Sequence, residues 1–284
     1  MLWSLCEHSE FAIKCCDKND IMPILTKFVN VTMYDIEIVT VTIQCLTSLT
    51  ESNPIAVMKL QNYKDTLIQL LNIEIKNTTV SEVVCFKTAI SSLLINLINC
   101  SESNSVNIIY KVINVLSDVL SIDCKQLLSN LVSILSYEKN VFSNNAKKKI
   151  QENRKIFSAQ QQALEIIANL CSEDQENGNE SDLEDSDYET KHIDDVYMDD
   201  KLCKISSLPL EMVEVFNTCS IVNKVWNKTK FMDKDITEIL QQNAEGKDIL
   251  KQVHTLKCTT YLCLNNLISS LEVDALGGVE SIYR

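Results

Sequence analysis

Residues 159–171 read AQQQALEIIANLC. Within them Ala163, Ile166, Ile167 and Leu170 recur at the three- and four-residue intervals that place side chains on one face of an α-helix. Three other stretches end in a similar way. IQCLTSLTES (43–52), SLLINLINCSES (92–103) and LCLNNLISSLE (262–272) stand beside LEIIANLCSED (164–174). Each is an apolar helix with a small or polar residue two or three positions before its end. A helix of this kind cannot bury its apolar face alone, so neighbouring units must stack on it.

The surrounding chain supports that reading. Ile36, Val39, Ile43, Leu46 and Leu49 keep helical spacing through EIVTVTIQCL, although its β-branched content also suits a strand. Leu2 to Asn30 reads as a first helix pair, broken by the polar turn 17–20, with Pro23 in the first turn of the second helix. Further helices are expected from 80 to 100, 108 to 122, 126 to 135, 208 to 216, 219 to 226, 235 to 242 and 248 to 271. Residues 139–155 form a separate polar and basic stretch. Glycine and proline number only 4 and 3, too few for a fold rich in turns and phosphate loops. Where the array is continuous, the helix ends recur every roughly 35 to 50 residues, the period of armadillo and HEAT units. The expected fold is therefore all-α: an armadillo/HEAT-repeat α-solenoid with a long acidic disordered insertion. An irregular helical bundle is the alternative. Armadillo-like repeats are assigned to 1–171, the acidic loop to 172–201, and HEAT-like repeats, incomplete, to 202–284.

The insertion is the chain's main electrostatic feature. Glu173 to Asp200 holds thirteen acidic residues and one basic residue, Lys191, so it carries −12 of the net −13. Such a run has no periodic apolar face and repels itself, so it is expected to be disordered when free. It attracts a basic protein and repels a nucleic-acid backbone. Apolar anchors punctuate it, which pure solvation does not need. The candidate partner-binding residues are Glu173, Asp174, Glu176, Glu180, Asp182, Leu183, Glu184, Asp185, Asp187, Tyr188, Glu189, Asp194, Asp195, Tyr197, Asp199 and Asp200. Solvation and spacing alone is the plain alternative. The basic residues Lys147, Lys148, Lys149, Arg154 and Lys155 read first as a solvated face. A nuclear-targeting or RNA-contact patch, or a segment folding back on the acidic loop, are the other readings.

The search for chemistry returns nothing. The three histidines, His8, His192 and His254, have no second histidine at ligand spacing. No GxGxxG, phosphate loop, HExxH or GxSxG is present. DQENGNESDLED (174–185) contains Gly178 but not the alternation of a calcium loop. The twelve cysteines sit singly in apolar patterns, apart from Cys15-Cys16, and read as reduced, buried small hydrophobes. That usage suits the cytoplasm and nucleus. No apolar run reaches the length of a membrane span. Neither an enzyme nor a cofactor is expected. Both ends of the chain read as cut, as if from a longer product.

The segment SAQQQALEIIANLC (158–171), followed at once by SEDQE and the acidic run, resembles the HEAT repeat-containing protein 3 family, whose fungal relatives are called symportin. LWSLCEHSEFAI near the start, VWNK (225–228) and CLNNLISSLEVDALGG (263–278) are similar to the same family. The order of repeat, acidic insertion and repeat is the specific part. The resemblance implies an α-solenoid, armadillo repeats first and HEAT repeats after. It also implies a monomeric, non-enzymatic chaperone for newly made ribosomal proteins uL18 and uL5, which it escorts into the nucleus with an import receptor. The inner surface of the superhelix would take uL18, and the insertion Glu173 to Asp200 would serve uL5. The family's import signal and first repeats would lie upstream of Met1. RNA contact would be indirect and membrane contact absent. An importin-like carrier or another solenoid scaffold is the alternative function.

Overall fold

Local capping chemistry sets where the helices start. The computed structural model describes residues 2–98, 105–137, 143–172, 208–231, 234–242, 244–272 and 276. Within them lie α1 (Leu2–His8), α2 (Glu10–Lys18), α3 (Met22–Leu25), α4 (Ile36–Thr50), α5 (Pro54–Leu60), α6 (Lys64–Leu71), α7 (Val80–Leu97), α8 (Ser105–Ser121), α9 (Cys124–Tyr137), α10 (Asn144–Leu170), α11 (Leu210–Thr218), α12 (Ile221–Asn227), α13 (Lys234–Leu240) and α14 (Ala244–Ser270). Ser9, Asp35, Asn53 and Ser143 each accept a backbone N–H of the first turn of α2, α4, α5 and α10. Thr79 and Glu82 form a reciprocal capping box on α7. Asp123 breaks the chain between α8 and α9 and accepts the N–H of Lys125 at 2.8 Å.

The ambiguous stretch EIVTVTIQCL is helical in α4. Its buried hydroxyls are satisfied inside the helix: Thr40 donates to Ile36 O and Thr50 to Leu46 O. Burial of Val39, Ile43, Leu46 and Leu49 then outweighs the small helix penalty of β-branched side chains, since each buried aliphatic side chain is worth roughly 1.5–3 kcal/mol.

The helices form two rows. α1, α4, α7, α10 and α14 pack side by side, each on the next. Other helices form the second row: α6 and α8 lie on α7, α8 and α9 on α10, α11 and α12 on α8, and α12 and α13 on α14. Two or three helices of the second row thus intervene in the chain between successive members of the first. The four stretches compared in the sequence are the ends of α4, α7, α10 and α14, the four long helices of this row. One continuous core runs along it, through Ile43 and Leu46, Phe86 and Ile90, Phe157 and Leu164, then Val253 and Leu267.

Polar bonds hold the long helices in register. Asn96 of α7 donates its side-chain amide to Thr47 O at 3.1 Å and Thr50 Oγ1 at 3.0 Å on α4. Asn266 of α14 does the same to Ala168 O of α10 at 3.0 Å, and Ser270 donates to Cys171 O. These bonds come from the polar positions near the ends of α7 and α14.

Three expectations need correction. The first helix pair is three helices, because Ser9 caps a new start at Glu10. The basic stretch 139–155 is not separate: from Asn144 it belongs to the 27-residue helix α10. Ala146, Ile150, Ile156 and Phe157 keep a buried face there while Lys147, Lys148 and Lys149 face out. Finally, α7 does have the length and mean hydropathy of a membrane span. In this fold it packs against α4, α6, α8 and α10.

Candidate partner-binding groove

A groove of about 820 Å³ crosses all five helices of the long row. Trp3 comes from α1, and Ile36, Glu37, Thr40, Val41 and Gln44 from α4. Glu82 and Cys85 come from α7, Gln151, Arg154, Lys155 and Ser158 from α10, and Gln252 from α14. The three- and four-residue steps Glu37–Val41–Gln44 and Gln151–Lys155–Ser158 give α4 and α10 each a second, largely polar stripe beside the buried one. Only the stacking of successive units brings these stripes together.

The groove's charges are mostly paired. Lys155 donates to Glu37 Oε1, joining α10 to α4. Partial burial pulls the Lys155 ammonium down, but the Glu37 hydrogen bond and charge, with Glu82 beside it, raise it above the ordinary lysine value. Arg154 Nη1 donates to Glu245 Oε1 at 3.0 Å, joining α10 to α14. Gln252 Nε2 donates to Arg154 O at 2.8 Å and Ser158 Oγ at 2.9 Å. Its Oε1 is buried and has no partner among the described residues. The Cys85 thiol donates to Lys155 O at 3.4 Å, and burial pushes it up to about 11 despite the neighbouring lysine. It stays a thiol at neutral pH and is no nucleophile.

The sixteen acidic-loop residues named from the sequence, Glu173 to Asp200, lie outside the described residues. They join the end of α10 to the start of α11. The basic cluster is divided by the fold. Lys147, Lys148 and Lys149 are exposed, whereas Arg154 and Lys155 are taken by Glu245 and Glu37 in the groove. A fold-back of the whole cluster onto the acidic run would have to break both pairs.

The cysteines follow the expected pattern. Ten are described, all free, and most are buried. Burial pushes the thiols of Cys16 and Cys171 up to about 11 and about 12. Among the described residues no group of three or more His, Cys, Asp or Glu is placed to hold a metal ion. Of the groove residues, Arg154 and Lys155 stand out in the sequence as part of the basic cluster and Ile36 as part of an apolar stripe, while the others carry no such mark. Their signal was weak, being single glutamines and threonines inside apolar helices, whose common direction depends on the register between units. The repeated asparagines are legible in the sequence. Asn96 and Asn266 spend their amides on the neighbouring helix, however, and do not line the groove.

Comparison with known proteins adds the rest. A family model described as "SYO1-like, TPR repeats" matches residues 210–284. HEAT repeat-containing protein 3 of Mus musculus is 23% identical over 99% of this chain and 48% of its own length. The protein of the same name from Homo sapiens is 22% identical over the same shares. The chain therefore spans about half the length of the curated relatives it matches. No solved structure matches it.

Proposed function

We propose that this chain, which belongs to the SYO1-like HEAT/TPR-repeat family related to HEAT repeat-containing protein 3, is an adaptor that shields newly made basic ribosomal proteins. It is a repeat scaffold that acts by binding rather than by catalysis. In this reading the groove across α1, α4, α7, α10 and α14 holds an extended segment of uL18, and the acidic insertion captures uL5. The insertion stays without fixed structure until occupied, and the units before it are of armadillo type. The complex is carried between cytoplasm and nucleus with an import receptor and delivered to the assembling large subunit.

The observation that carries this proposal is a continuous groove lined by α1, α4, α7, α10 and α14 in turn and bordered by paired rather than catalytic charges. Solenoids present such surfaces to extended partners. The glutamines offer donors and acceptors to a main chain without demanding one side chain. The insertion supplies long-range, salt-sensitive attraction and competes with rRNA phosphates for the same basic surface. Leu183, Tyr188 and Tyr197 convert attraction into docking by burying apolar area.

Calorimetry with purified uL18 and uL5, at two salt concentrations, with and without residues 173–200, tests the proposal. Loss of uL5 binding on deletion, with uL18 binding retained and the intact complex weakened by salt, is the expected result. Binding of neither protein by the intact chain would refute it.

A further inference from the structure

The last carbonyls of a helix lack intrahelical partners and form the negative end of its dipole, where a cation is stabilising. In this fold one such end is filled from within. Lys224 of α12 and Lys228, one turn on at its C-cap, reach the end of α8. Lys224 Nζ lies 3.3 Å from Ser117 O; Lys228 Nζ donates to Ile122 O and sits 3.3 Å from Cys124 Sγ. Lys228 is buried there. Two lysine side chains therefore seat in a helix C-terminal pocket of this protein.

The end of α4 has the same negative polarity and no such lysine, its Thr47 and Thr50 carbonyls being taken by the Asn96 amide and the Asn53 N–H. Its last turn holds no basic residue, and its C-cap is Glu51. A pocket of about 710 Å³ opens at this point. Glu51 lines it, exposed and without a hydrogen bond or ion pair from its carboxylate among the described residues. Two amides complete the wall, both with their nitrogens spent on the scaffold. Asn96 Nδ2 is bound to Thr47 O and Thr50 Oγ1, and Gln61 Nε2 to Leu97 O at 3.0 Å. Because those partners include carbonyls, which only accept, the amide orientations are fixed. The side-chain oxygens of Asn96 and Gln61 are left as acceptors. Val57 and the exposed Met58, on α5, give the pocket an aliphatic side. A carboxylate, two fixed amide oxygens and a helix C-terminus beside an apolar wall match an ammonium or guanidinium on an aliphatic stem.

We propose that this pocket is a socket for a single lysine or arginine side chain of a partner polypeptide. The cation sits against Glu51, Asn96 and Gln61, and the stem lies along Val57 and Met58. The proposal rests on the reading of the chain as a carrier of basic proteins, and it adds a side-chain site at the opposite end of α4 from the Ile36–Gln44 lining of the groove.

The test is NMR titration of the isotope-labelled full chain with the capped peptide Gly-Lys-Gly, and with its norleucine counterpart, which keeps the stem and lacks the charge. Saturable shifts of the Asn96 and Gln61 side-chain amides are expected with the lysine peptide and not with norleucine. Glu51→Lys should weaken the lysine peptide at least tenfold, and Glu51→Gln about threefold, by removing the charge at the cap. Shifts confined to residues 173–200, or amide shifts unchanged by Glu51→Lys, would overturn the proposal. The client experiment above fails separately. Normal uL18 and uL5 binding with no socket shifts would remove the socket alone. Socket shifts with no client binding would remove the ribosomal-protein reading and leave the socket standing.

Discussion

Replacing Asn96 by alanine removes the polar link between α7 and α4. Two hydrogen bonds are lost, to Thr47 O at 3.1 Å and to Thr50 Oγ1 at 3.0 Å. A neutral hydrogen bond contributes about 0.5–1.5 kcal/mol net, so the pair is worth about 1–3 kcal/mol. Asn96 is only half-buried, and water can reach part of the site, which places the expected loss at about 1–2 kcal/mol. At about 2–4 °C per kcal/mol for a chain of this size class, the melting temperature should fall by about 2–8 °C. Asn266→Ala loses one such bond, to Ala168 O, and should cost about half as much. Asn169→Ala is the internal control. It occupies the matching place in ANLC, is exposed, and should stay within about 0.5 kcal/mol of the parent. Urea unfolding followed by circular dichroism measures all three, read as a shift of midpoint at constant slope. An Asn96→Ala loss no larger than that of Asn169→Ala would refute the assignment of these asparagines as register pins.

Four further outcomes follow from the same geometry. A double-mutant cycle on Lys155 and Glu37 should give a coupling of about 0.5–1 kcal/mol, because the pair is partly exposed, and salt should shrink it. The Lys155 value is raised in the fold, so its stabilisation should be complete below the unfolded lysine value of about 10.4 and be lost as pH rises through the higher folded one, as read by unfolding at a series of pH values. Among the described cysteines of the native protein a thiol reagent should modify exposed Cys258 first, while Cys16, Cys171 and Cys263 react only after denaturant is added; equal rates would contradict their burial. Lys228→Ala should cost about 1–3 kcal/mol, because it leaves a cavity and removes one of the two donors to the Ile122 carbonyl just past α8, Gln160 Nε2 at 2.8 Å being the other, and unfolding by heat or urea reads it directly.

The long helices were legible because their apolar stripes are dense and their caps are local. Asp35, Asn53 and Thr79 announce α4, α5 and α7 within a few residues. The repeat was legible too, through the shared endings that became the stacked row. Two things were harder to read. The basic charges of α10 hid Ala146 and Ile150, whose buried face continues that of Phe157, so one helix looked like a polar stretch and a helix. The groove was invisible for a different reason. Gln44, Gln151 and Gln252 belong to three helices more than a hundred residues apart at the extremes, and no local pattern gives the register between units. The acidic residues named as a site were legible by charge, and they lie outside the described residues.

The position of the insertion makes a last prediction. It enters after α10 and leaves before α11, yet the units on either side are packed directly: α11 and α12 on α8, and α14 along α10. Those contacts do not run through residues 173–200. Between Ser172 and Leu208 the chain has 35 intervening residues, and removing 173–200 leaves 7. For a freely flexible loop the closure cost scales as (3/2)RT ln n, so the shortening should stabilise the chain by about 1.4 kcal/mol at most. The deletion variant should therefore melt at or above the parent temperature while losing uL5. Under that outcome, lost binding is loss of a site and not loss of the fold. A deletion that lowers stability by 1 kcal/mol or more, measured by urea unfolding, would instead mean that the acidic run makes its own contacts with the scaffold. It would then belong to the folded structure, and the picture of a free capture segment would have to be given up.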